Sequence, residues 1–160
     1  MTLDELFLIL GVIMLSSGVV MAFRSSSSGV AFSYIGVSAL SHSRYAVFNE
    51  EVLVFWAIAA VIVVVIDLVK RGFGNYPNLW KNYIVGGALA GMAVGLVYGS
   101  SGVSIGAIAG AVLGGLACRR AGGGSWGAKG FWRVVAAVGL PAVVTMTIVG
   151  IGIIGLTQKL

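Results

Sequence analysis

Residues 82–118 read NYIVGGALAGMAVGLVYGSSGVSIGAIAGAVLGGLAC, a stretch without one charged side chain. It holds two runs of glycine at intervals of four: Gly87, Gly91, Gly95 and Gly99, then Gly102, Gly106, Gly110 and Gly114. Residues four apart share one side of an α-helix, so each run leaves a bare groove where another backbone can approach closely. In water each such glycine would cost a helix roughly 1 kcal/mol relative to alanine. In hydrocarbon the backbone must satisfy its own hydrogen bonds, so helix is enforced despite the glycines. The stretch therefore predicts membrane helices that pack tightly through Gly87 to Gly114. One helix of this length would measure roughly 56 Å, almost twice the hydrocarbon core, so it must fold back. Gly99-Ser100-Ser101-Gly102 is the place for the turn, giving helices over 82–98 and 103–118. Two crossings and a re-entrant dip both satisfy this pattern.

Charges divide the rest of the chain into further neutral runs. The first, residues 6–23, is long enough to cross and ends at Arg24 and four serines, Ser25 to Ser28. The second, 29–40, is short and carries Ser33, Tyr34 and Ser38; it spans, as a helix over 29–45, only by extending toward Tyr45, which takes His42 and Arg44 into the interface. The third, 52–69, is rich in β-branched residues, yet so long an apolar run with one acid near its end reads as a membrane helix. The last, 134–156, contains Pro141, where a kink is expected, and Thr145 and Thr147, which can bond their own backbone. The connection GFGNYPNLW at 72–80 is turn-rich, and Pro77, Trp80 and Tyr83 suit a membrane interface. Apart from the two glycine runs, which repeat with a period of fifteen residues, the chain shows no clear repeat.

Composition agrees. The chain has 160 residues, 59% of them hydrophobic and 9% charged, with a mean hydropathy of +1.05. Those values exclude an ordinary soluble domain. The net charge of +5 does not point to nucleic acid, because the basic residues sit singly or in pairs between apolar stretches. A single cysteine, Cys118, excludes an internal disulfide and a cysteine-based metal cluster within one chain. The opening Met-Thr-Leu-Asp-Glu is acidic where a signal peptide would be basic, so the first run is expected to be a retained helix. Six crossings would put Arg24, Lys70, Arg71, Lys81, Arg119, Arg120, Lys129 and Arg133 on one side, against Arg44 and Lys159 on the other. The positive-inside rule makes the first side cytoplasmic and places both termini outside. If residues 29–45 fail to cross, the basic loops stay inside and the N-terminus joins them.

The order of these pieces resembles a known family. LILGVIML at 8–15, YAVF at 45–48, LVFWAIAAVIVVVID at 53–67, a basic loop and the glycine hairpin are similar in order and spacing to domain-of-unknown-function family 456, small polytopic bacterial membrane proteins. The resemblance covers residues 8–156 and implies a polytopic architecture and a bacterial inner membrane. It implies no activity. Two departures stand out: the family's Leu-Pro-Gly turn after the first helix is replaced by Arg24 and serines, and its Gly-Glu ending of the second glycine helix by Gly115-Leu116.

Few side chains suggest chemistry. Asp67 is the one acid inside an expected span, and such carboxylates mark ion or proton pathways by default. It also lies within helical reach of Lys70 and Arg71, and a shallow ion pair at the interface is the plainer reading. His42, the only histidine, has no second metal ligand beside it in sequence. Glu50 and Glu51 are neighbours that point about 100° apart on a helix. The serines lack a GxSxG context, and the glycine runs lack the Gly-Lys-Ser/Thr of a phosphate loop. Cys118 beside Arg119 and Arg120 suits either an activated thiol or an inert one at a helix end. The expectation is an all-α polytopic transmembrane bundle of five or six segments in the cell's inner membrane, without enzymatic activity, cofactor or metal. Its partners are the lipid bilayer and a second copy or another membrane protein. A small ion or solute transporter built on glycine-broken helices is the alternative.

Overall fold

Thr2 and Glu5 open the first helix with a reciprocal cap: the Thr2 N–H donates to Glu5 Oε2 at 2.9 Å, and the Glu5 N–H to Thr2 Oγ1 at 3.4 Å. In a computed structural model of the chain, residues 2–24, 26–46, 48–70, 77–122 and 128–158 are described. They form α1 (Leu3–Arg24), α2 (Ser26–Ser41), α3 (Glu50–Lys70), α4 (Asn78–Gly95), a single 3-10 turn (Leu96–Tyr98), α5 (Gly99–Arg120) and α6 (Ala128–Thr157). Among the described residues there is no strand. Four stretches are long and apolar enough to cross a membrane: Leu3–Arg24, Glu50–Leu68, Asn78–Arg120 and Lys129–Thr157. The chain thus has the helices a multi-pass membrane protein requires.

Helix α2 stops at Ser41 rather than Tyr45 because side chains take its last carbonyls. Ser41 Oγ and His42 Nδ1 both donate to the Ser38 carbonyl, at 2.7 and 2.8 Å, and Ser43 Oγ donates to the Leu40 carbonyl at 2.7 Å. At roughly 24 Å, α2 is the shortest of the six. Pro141 does not end α6, which continues through it to Thr157.

The helices assemble as two tight antiparallel pairs, α1 with α2 and α4 with α5, around α6. In the first pair Gly11 faces Gly36 and Gly18 faces Gly29. Helix α6 receives both pairs, and 67% of its apolar window is buried, against 11% for α3 on the outside. Its own glycines act as sockets. A Cβ at Gly150 would meet Val103 and Met92, one at Gly152 would meet Leu15 and Val37, and one at Gly155 would meet Phe48. A Cβ at Gly139 would meet Ile84 and Ala111, so α4 runs parallel to α6, and α5 runs against it.

Charge is sorted between the two ends of this bundle. Asp4, Arg44, Glu50 and Glu51 lie at the end where α6 finishes, and Arg44 Nε meets Asp4 Oδ2 at 3.2 Å. Arg24, Lys81, Arg119, Arg120, Lys129 and Arg133 lie at the other end. Arg71, Lys159 and the Lys70 side chain, which the sequence assigns to these ends, fall outside the described residues. Trp80 departs from expectation. It is not at an interface but 1% exposed, in edge contact with Phe131 at 6.0 Å between ring centroids. The reason is register: Trp80, Ile84, Ala88 and Met92 form one buried stripe of α4.

Candidate functional site

The α4–α5 pair is built from two stripes on each helix. On α4 the stripe Trp80, Ile84, Ala88, Met92 turns toward α6, while Tyr83, Gly87, Gly91 and Gly95 turn toward α5. On α5, Val103, Ala107, Ala111 and Cys118 are buried, Val103 and Ala111 beside Gly150 and Gly139 of α6, and Gly102, Gly106, Gly110 and Gly114 face α4. The glycines meet in strict antiparallel register. Gly87 faces Gly110, Gly91 faces Gly106, Gly95 faces Gly102, and Gly114 faces the carbonyl of Tyr83.

A side chain at these positions has nowhere to go. A Cβ on Gly91 would fall on the Gly106 carbonyl oxygen and 3.0 Å from the Gly110 Cα; one on Gly87 would fall on the Gly110 carbonyl oxygen and 3.0 Å from the Gly114 Cα. The obstacle is backbone, which cannot rotate away. The Cα–H that stands where a side chain would be points at the facing carbonyl, a weak contact contributing about 0.5–1 kcal/mol. Gly99 is different. It sits at the turn with φ +77°, and a Cβ there would meet nothing within 4 Å. Its glycine serves the left-handed backbone that reverses the chain rather than close packing, which corrects its place in the packing run. The reversal is also tighter than expected: α5 starts at Gly99 itself, with no four-residue loop.

The remaining candidates are scattered. Asp67 is half-buried one turn from the end of α3, roughly 5 Å short of it; its expected partners Arg71 and the Lys70 side chain lie outside the described residues. His42 is exposed, caps α2 through Ser38 and lies 5.8 Å from the Phe7 ring. Cys118 is fully buried, while Arg119 and Arg120 beside it are exposed, which argues for the inert reading. Asn49 Oδ1 accepts from the Glu51 N–H at 3.3 Å, and the two acids stand exposed in the first turn of α3, where the helix dipole favours them. Among the described residues no three His, Cys, Asp or Glu side chains gather into a metal site. Ser33, Thr145 and Thr147 are buried with hydroxyls that meet no partner, so the two threonines do not bond their own backbone as expected.

Several cavities border the hairpin. A groove of about 770 Å³ runs along its outer face, lined mostly by glycine and alanine. A cleft of about 390 Å³ opens at the far end, between Asn49 and Trp56 of the α3 region, Ser100, Ser101 and Ser104 of α5, and Gln158. The sequence reading passed over the first pair's glycines, Gly11, Gly18, Gly29 and Gly36. The signal was present as a seven-residue spacing on each helix, the period of an antiparallel seam, hidden by attention to spacing of four. Compared with family models, curated proteins and solved structures, the chain finds no match in any of the three.

Proposed function

We propose that this is a non-enzymatic inner-membrane protein that crosses five or six times, the sixth crossing resting on α2, and works through tight helix packing. The observation that supports the reading is the close backbone approach of the facing glycines of α4 and α5. Because these glycines are used within one chain, assembly with a second copy or another membrane protein falls to the outer apolar faces. Helix α3 offers the broadest, with Phe55, Ile58, Val61 and Val65 each more than half exposed. The basic end faces the cytoplasm by the positive-inside rule, and nucleic acid has no part. Kinship with domain-of-unknown-function family 456 rests on the order of segments alone.

A second reading, small-solute or ion transport, is favoured by one observation: the cleft at the hairpin turn is lined by Ser100, Ser101 and Ser104. Against it, among the described residues no charged side chain lines that cleft, and Asp67 lies near the far end of α3. Reconstituted vesicles separate the two. The packing role requires that the wild-type protein add no proton- or sodium-driven flux to sealed vesicles. A wild-type flux that vanishes in Asp67→Asn, with the fold intact, makes the protein a transporter.

A further inference from the structure

The outer groove of the α4–α5 hairpin has a direction. Gly86 and Ala90 form its wall on α4, Ala109, Leu113 and Ala117 on α5, and the floor is the glycine seam. It exists because the seam draws the two backbones together and the flanking positions carry little or no side chain. On α5 it runs from Ala117 up to Gly106, eleven residues or roughly 16 Å. That is about half of a ~30 Å hydrocarbon core, the depth of a single leaflet. Beyond it Val97, Tyr98 and Ile105 stand out from the surface, 82%, 77% and 67% exposed.

The lower mouth is charged. A second cavity shares Tyr83, Leu113 and Ala117 with the groove and adds Arg119 and Arg120. Both arginines are exposed in the last turn of α5, and among the described residues the ion pair present is elsewhere, between Arg44 and Asp4. A one-leaflet apolar slot that opens onto two guanidinium groups matches an anionic glycerophospholipid. One acyl chain fills the slot and the phosphate meets Arg119 and Arg120, which suit bidentate phosphate contacts. A helix from a second copy would need a groove through the whole core, and this one closes at mid-depth.

We propose that the groove and its arginine mouth form a binding site for one anionic phospholipid. This rests on the membrane-spanning reading above, with the basic end at the lipid headgroups. The test is native mass spectrometry of the protein released from mixed micelles of dioleoylphosphatidylglycerol and dioleoylphosphatidylcholine. The wild type should retain one phosphatidylglycerol and no phosphatidylcholine. Retention should fall about tenfold in the Arg119→Gln/Arg120→Gln double variant, as expected for losing charge-assisted contacts to the phosphate. It should fall similarly in Gly86→Leu, which blocks the slot where an added Cβ meets nothing within 4 Å of the protein itself. An unchanged melting temperature of Gly86→Leu in zwitterionic detergent shows that the fold survives. Lys129→Gln removes an exposed charge from the same end and should leave retention unchanged. Equal retention of phosphatidylcholine, full retention by either groove variant, or equal loss in Lys129→Gln overturns the proposal. So does displacement by millimolar inorganic phosphate, which marks a headgroup patch without a chain slot, or a dimer that cross-links through Gly86→Cys. A wild type that fails to insert into vesicles at all overturns the membrane reading with it.

Discussion

Two residues on successive positions of α4 show how sharply position matters here. Gly86 looks onto the open groove, while Gly87 sits against the Gly110 carbonyl. The same contrast sets apart the buried hydroxyls of Thr145 and Thr147, which give up hydration and gain no partner. An unsatisfied buried hydroxyl costs about 1–3 kcal/mol, so Thr145→Val and Thr147→Val should each raise the melting temperature or leave it unchanged. A fall of several degrees would mean that the hydroxyl is bonded in the membrane, for example to water. Asp67→Asn should cost no more than about 1 kcal/mol in thermal or denaturant unfolding, the scale of a pair at a solvated interface. A larger loss would show that the carboxylate is held by a desolvated partner. The caps were only partly legible: Glu5 three residues after Thr2 is a recognisable box, whereas His42 at the end of α2 gave no sequence signal beyond its serine neighbours.

At the scale of elements, the described residues are all-helical, as the long neutral runs predicted, and four stretches are long and apolar enough to cross a membrane. Close packing was legible only where the glycine repeat was explicit. Residues 87–114 announce a close packing face but not its partner, which the sequence leaves as another helix of the chain or a second copy. The α1–α2 seam was missed because its close approaches recur every seven residues and include Ala22 and Ser33. The central position of α6 was not legible either: its sockets at Gly150, Gly152 and Gly155 accept side chains from five other segments, and only the assembled bundle shows that. The buried Cys118 cannot report topology, so the orientation test moves to the helix ends. In a Cys118→Ala background, Lys129→Cys should react with a membrane-impermeant maleimide only after permeabilisation, and Gln158→Cys in intact cells. Both positions are exposed and lie at opposite ends of α6. The reverse labelling pattern would invert the orientation.

The whole molecule is a central helix flanked by two glycine-bound pairs, with charge sorted between its ends and an outer helix that faces outward along most of its length. Composition disclosed helices apolar enough to cross a membrane and the sequence order disclosed the hairpin; its glycine faces were legible, while the groove behind them was not, because a groove is a property of two helices in register. The account stands or falls on whether the facing glycines hold the bundle together. The direct measurement compares one substitution on two faces of α4: thermal melting of Gly91→Leu and Gly86→Leu against wild type in the same zwitterionic detergent. Forcing a leucine against the Gly106 backbone should cost on the order of 1–3 kcal/mol or more, lowering the midpoint by at least about 2–4 °C. Gly86→Leu, which points into open space, should melt with the wild type. Equal melting of all three proteins would contradict the account, as would a larger loss in Gly86→Leu than in Gly91→Leu.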